Sequence, residues 1–200
     1  MARINKDSLD RFFDYGINVD TRTIYASSIE SDLDGNESGV DSLMCEKLIK
    51  GLHVLDKSAP AGDNAITIIL NSPGGDSLYG MSCYDAIKLC KNHVTVMIQG
   101  YGMSIAAWIL QAADRRVMTK NSRLMIHTGH YTLGYNHPEI NKRLVEQFAR
   151  DEEIFENILL EKIKIKHPDF TKAKIKSMLR FDTILTPEEA LNLGLIDEIV

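Results

Sequence analysis

Gly100-Tyr-Gly-Met-Ser-Ile-Ala-Ala-Trp-Ile-Leu110 is the stretch on which the fold turns. Before it, Val94-Thr-Val-Met-Ile98 is β-branched and apolar, which predicts a short buried strand. Gly100 and Gly102 are expected to break that strand. Ile105 to Leu110 is apolar on nearly every face, which suits a helix sunk in a core. Ser104 therefore sits at a sharp strand-to-helix turn, where backbone N–H groups lack helical partners. Those are the conditions for a nucleophile beside an oxyanion site. They are equally the conditions of a serine that merely caps a helix. This stretch alone does not separate the two.

Working upstream, Ala65-Ile-Thr-Ile-Ile-Leu70 reads as another buried strand, ended by Asn71-Ser-Pro-Gly-Gly75 and followed by a helix from about Ser77 to Lys91. A leucine stripe (Leu43, Leu48, Leu52, Leu55) predicts a helix over about Val40 to Asp56. Ser27 to Gly39 is acidic and turn-rich, hence an exposed loop, and Arg22–Ala26 is a short strand. Residues 1–21 are polar with scattered aromatics and carry no assignable period.

Downstream, Arg116–Met118 and Leu124–His127 predict two short strands. A long helix runs from Pro138 to about Lys166, interrupted by His167-Pro168, and a shorter one spans about Phe170 to Leu179. Thr186-Pro-Glu-Glu189 has a threonine cap, a first-turn proline and a capping-box glutamate, and Gly194 stops that helix. Leu195-Ile196 and Ile199-Val200 close the chain as a strand. Strand and helix alternate, which predicts one α/β domain over residues 1–200 with a largely parallel sheet. Phe148, Phe155, Ile158 and Leu159 give the long helix apolar faces over more turns than a small sheet covers. They predict either a partner surface or a helix folded back on its own domain.

Composition narrows the chemistry. A net charge of −5, with no basic run interleaved with aromatics, argues against a nucleic-acid surface. No apolar run approaches membrane-spanning length and the N-terminus lacks a signal-type apolar segment, so a cytoplasmic protein is expected. Cys45, Cys83 and Cys90 fall in apolar-patterned helices and read as reduced packing residues. No histidine–cysteine cluster has metal spacing, and no cofactor is expected.

Two glycine loops end two neighbouring strands: Asn71–Gly75 and Gly100–Ser104. In open α/β sheets, ligands bind beyond the strand carboxyl ends, so both loops can face one crevice. Neither loop has a phosphate-cradle pattern. A serine nucleophile needs a base, and of six histidines only His127 ends an apolar strand. Asp182, in Arg180-Phe-Asp-Thr-Ile184, is a candidate acid or a turn carboxylate.

Asn71–Gly75, Gly80-Met-Ser-Cys-Tyr-Asp85, Gly102-Met-Ser104, Asn121–His127 and Glu189–Asp197, in this order, resemble the ClpP family of Clp protease proteolytic subunits. The resemblance covers roughly Ile66 to the C-terminus. It implies a ClpP/crotonase-like fold of repeated β-β-α units, with residues 1–21 a divergent N-terminal segment and about 128–166 a protruding helical handle. It further implies Ser104 as nucleophile, His127 as general base, Asp182 as acid, and the backbone N–H groups of Gly75 and Ile105 as oxyanion hole. The activity implied is serine endopeptidase inside a self-compartmentalised homo-oligomer, with heptameric rings stacked as a tetradecamer. Its substrates would be peptides or unfolded proteins, with an AAA+ unfoldase as a possible partner. A viral capsid-maturation protease of the same fold and a crotonase-like acyl-CoA enzyme are the alternatives. The chain departs from the family at Met103, where alanine is usual, and in the less glycine-rich stretch Thr128–Tyr135.

Overall fold

The computed structural model describes residues 6–27, 39–57, 64–129, 133, 134 and 137–200. In chain order they form α1 (Lys6–Tyr15), β1 (Ile17–Asn18), β2 (Thr23–Ser27), α2 (Ser42–Lys57), β3 (Ile66–Ser72), α3 (Ser77–Lys88), β4 (Val94–Met103) and α4 (Ile105–Gln111). There follow β5 (Arg115–Met118), β6 (Arg123–Ile126), α5 (Pro138–Lys166), α6 (Lys172–Leu179), β7 (Thr183–Leu185), α7 (Pro187–Leu193) and β8 (Glu198–Ile199). The strand order is β1-β2-β3-β4-β5-β8, and β6 joins β4 to β7. Only β1–β2 and β6–β7 pair antiparallel; the other ladders are parallel. This is the α/β architecture with a largely parallel sheet.

Alternate residues of the central strands define the core. Ile66, Ile68 and Leu70 on β3, and Val94, Val96 and Ile98 on β4, are fully buried. Against them lie Leu48, Leu52 and Leu55 of α2, Cys83 and Ile87 of α3, and every residue of α4. Each large apolar side chain so buried contributes roughly 1.5–3 kcal/mol. That packing, not helix propensity, holds α4, since a seven-residue helix does not form alone.

The expectation that Gly100 and Gly102 end the strand is corrected. β4 continues to Met103 and changes partners: Thr95–Ile98 pair with β5, Tyr101–Met103 with β6. The turnover point is Gly100, at φ +94, opposite a register shift between Leu70 and Ser72 of β3. The Asn71 side-chain carbonyl accepts the Tyr101 N–H there at 3.1 Å, and a Cβ on residue 100 would lie 2.5 Å from that oxygen. Glycine thus bends the strand rather than breaking it.

Other boundaries moved for visible reasons. Part of residues 1–21 forms α1 and β1, with Phe12 edge-on to Tyr25 at 5.1 Å. Val40 is not helical; it bridges to Gly75. α3 stops at Lys88, short of Lys91, and the Asp56 carboxylate accepts the N–H groups of Lys91 and Asn92 beyond its end. The acidic loop expected from Ser27 to Gly39 lies mostly outside the described residues, as does much of Thr128–Tyr135. α7 has its Thr186–Glu189 capping box and ends at Gly194 in the left-handed region. No helix among the described residues is long and apolar enough to cross a membrane.

α5 runs unbroken for 29 residues. Leu159 and Ile163 are buried and Phe155 and Ile158 pack on the same core. Three of the four residues expected to form a partner surface therefore face their own domain. From Pro138 to Arg150 no residue is buried, so the first half of the helix stands off the core.

Candidate active site

β3 and β4 are adjacent and parallel, so the two glycine loops at their carboxyl ends share one crevice. Ser104 follows β4 directly, with φ 52 and ψ −133, a conformation that L-residues avoid. Its N–H is spent on the carbonyl of Met125 in β6 at 2.9 Å, and its carbonyl accepts from Ala107 at 2.8 Å. The hydroxyl makes no capping bond to α4. It points instead to His127, whose Nε2 lies 2.8 Å from Ser104 Oγ. The capping reading is thereby excluded.

His127 follows β6, and its side chain is only 13% exposed. The next residue, Thr128, donates its N–H to the carbonyl of Leu179 at the end of α6, at 2.7 Å. Asp182 follows α6 by three residues. Its Oδ1 lies 3.2 Å from His127 Nδ1, with the Asp182 side chain 64% exposed. The structure therefore brings Ser104, His127 and Asp182 into one line, in that order.

The Asn71–Gly75 loop closes the other side. Gly74 (φ +100) passes so close that a Cβ there would lie 2.4 Å from Ser104 Cβ. The Gly75 bridge uses its neighbours: Val40 donates to Gly74 O at 2.6 Å, and Asp76 donates to Val40 O at 2.8 Å. The trans peptide turns the Gly75 N–H away from the Gly74 carbonyl that Val40 binds, and Gly75 lines the crevice. Ile105 opens α4, so its N–H is one of the helix's first-turn donors.

A cavity of about 350 Å³ is lined by Gly75, Ser104, Ile105, His127, Trp108 and Phe155. The last two form an apolar wall. The Trp108 indole N–H donates to the Phe155 carbonyl at 3.0 Å, and their rings stand 5.4 Å apart. This ties α4 to α5 beside the serine.

Four residues with a part in this site were not singled out by sequence reasoning. Asn71 pins the β4 bend, and the buried Ser72 hydroxyl accepts the Gly74 N–H at 3.2 Å. Trp108 read as core, which it also is, and Phe155 as a partner surface. Asn71 and Ser72 stood inside a quoted motif, but their bonds cross between loops thirty residues apart or fold back locally. Periodicity reports neither.

The model of the Clp protease family matches residues 35–200, further upstream than the motifs reach. The ATP-dependent Clp protease proteolytic subunit of Deinococcus radiodurans is 30% identical over 163 residues, spanning 80% of this chain and 76% of that protein. The chloroplastic proteolytic subunit 3 of Arabidopsis thaliana is 33% identical over 165 residues, 82% of this chain but only 51% of that longer protein. Among solved structures, a point mutant of ClpP1 from Listeria monocytogenes superposes with a TM-score of 0.75 at 24% identity, covering 96% of this chain and 95% of that one. That last likeness speaks for the fold. With the family model spanning most of its length and a curated relative at this identity, the chain belongs to the Clp protease family and is a ClpP-type serine endopeptidase.

Proposed function

We propose that Ser104, His127 and Asp182 are the catalytic triad of a peptide-bond hydrolase. The carrying observation is the 2.8 Å contact from the strained Ser104 to His127 Nε2. With the Asp182 carboxylate at Nδ1, the imidazole keeps its proton on that side and offers Nε2 as acceptor. Ser104 Oγ attacks the peptide carbonyl carbon while its proton passes to His127. The oxyanion so formed accepts N–H donation from Gly75 and Ile105. As the C–N bond breaks, His127 returns the proton to the leaving amine, and a water activated by the same base releases the acyl group.

The wall of Trp108 and Phe155 favours an apolar substrate side chain next to the scissile bond. Family membership supports a ring-forming homo-oligomer as the working state, its chamber admitting peptides and unfolded chains, with an unfoldase ATPase supplying the latter. A crotonase-type acyl-CoA enzyme needs paired backbone N–H groups but no serine–histidine contact, so the contact favours the peptidase.

A fluorophosphonate probe should label Ser104 alone, and Ser104→Ala should keep the fold while losing at least ~10³-fold in peptide cleavage. Unchanged turnover in that variant would remove the assignment.

A further inference from the structure

α6 is the element to which both partners of Ser104 are tied. The Leu179 carbonyl in its last turn takes the N–H of Thr128, next to His127, at 2.7 Å. The Met178 carbonyl takes the hydroxyl of Thr183, next to Asp182, at 2.6 Å. Where α6 sits along its axis therefore sets how His127 and Asp182 meet.

What fixes α6 on its other side is a buried charge. Glu156 of α5 is 9% exposed, on the half of the helix whose Leu159 and Ile163 are also buried. Lys172 and Lys176, one turn apart on α6, straddle its carboxylate: Lys172 Nζ lies 3.6 Å from Oε2 and Lys176 Nζ 3.6 Å from Oε1. Lys172 also pairs with Glu153 at 2.8 Å, but Glu153 is largely exposed, where such pairs add little. The Lys172 and Lys176 side chains are 36% and 60% exposed, so the pairing adds little stability. Its distinctive property is register. A slip of α6 by one residue, about 1.5 Å and 100°, takes one lysine off the carboxylate, whereas apolar contacts tolerate sliding.

We propose that Glu156 is a positioning residue, its buried carboxylate held between Lys172 and Lys176 so that α6 presents His127 and Asp182 in register. The proposal rests on the triad reading. Phe155, its neighbour, lines the cavity, so one turn of α5 shapes both the substrate wall and the base–acid pair.

The test uses the full chain and Glu156→Gln, which keeps shape and removes charge. Turnover of a short fluorogenic peptide should fall about 10²-fold, as for a displacement of about 1 Å, with KM within about twofold. Exchange of the Thr128 amide should accelerate at least ~10-fold while α2 amides are unchanged. Lys172→Met/Lys176→Met should reproduce the loss, Lys172→Arg/Lys176→Arg should restore wild-type turnover, and adding Glu156→Gln to the methionine pair should cost nothing further. A folded Glu156→Gln with turnover within twofold and unchanged Thr128 exchange overturns the proposal, as does additivity. If Glu156→Gln does not fold, the methionine pair decides: wild-type turnover in it overturns the latch. A wild type that neither cleaves peptide nor takes the fluorophosphonate on Ser104 ends the triad reading instead. Thr128 exchange would still decide whether Glu156 holds α6.

Discussion

Ser104 stays at a backbone conformation worth about 1–3 kcal/mol of strain only because its surroundings leave no alternative. Its N–H is bonded to β6, and Gly74 presses on its Cβ from the facing loop. That makes Gly74→Ala a sharp probe. The new methyl would meet Ser104 Cβ at 2.4 Å and the Met103 carbonyl at 2.8 Å, both backbone-fixed neighbours, at a φ of +100 that alanine resists. Thermal unfolding should report a loss of about 1–3 kcal/mol. Peptide turnover should drop at least ~10²-fold, because the clash moves Ser104, the proposed nucleophile. A stable, fully active Gly74→Ala would mean that the loop is not packed on the serine. Ser104 and His127 stood out in the sequence because each follows an apolar strand, whereas Asp182 was picked out by the family resemblance. The pressure of Gly74 on Ser104 was not, because it is a contact between loops whose spacing along the chain carries no period.

At the scale of elements, β8 joins the sheet by its ladder with β5, flanked by two charged pairs, Arg115–Glu198 at the surface and Arg116–Asp197 beneath it. Arg116, 7% exposed, donates to Asp197 at 2.5–3.1 Å and to the Gln111 side chain and the Gly194 carbonyl at 2.8 Å. Burial alone would raise the Asp197 carboxyl's pKa, but the Arg116 side-chain and backbone hydrogen bonds and its charge hold it below the ordinary 3.8. A folded-state value below the unfolded one means that this stability is present above pH 3.8 and is lost as pH falls through the lowered value. Asp197→Asn should therefore flatten the acid limb of the stability–pH curve below about pH 4, read by denaturant midpoint. Asp197→Ala leaves a buried guanidinium without its anion. The cost should be about 2–3 kcal/mol, below the roughly 3–5 of a fully buried pair because the Asp197 side is partly solvated. Equal acid profiles for wild type and Asp197→Asn would remove this pair from the account. Elements with local signatures were legible, the α7 capping box most plainly. The continuation of β4 through two glycines was not, because it depends on Asn71 and on a register shift in the neighbouring strand.

For the whole molecule, α5 poses the question of what covers it. At 29 residues it spans about 43 Å, and its buried residues all lie in the second half. The first half carries Ile140 and Val145 at 50% and 52% exposure, and Leu144 and Phe148 half-buried. An apolar stripe that is partly exposed among the described residues favours association. The residues chosen from the sequence as the partner surface included Phe155 and Leu159, which the fold uses internally. Periodicity finds an apolar stripe but does not say which neighbour it meets. The surface expected to join subunits is therefore the exposed Ile140–Val145 stretch. Val145→Glu tests it without touching the crevice. Wild type should run on native mass measurement as a multi-subunit particle, and the variant as a smaller one. Peptide turnover should fall at least ~10-fold, because α5 continues into the turn that carries Phe155 and Glu156. Phe155→Glu, by contrast, should cut turnover without changing particle mass, since that side chain faces the cavity. A monomeric and fully active wild type would refute the chamber. So would a Val145→Glu protein that dissociates and keeps its turnover.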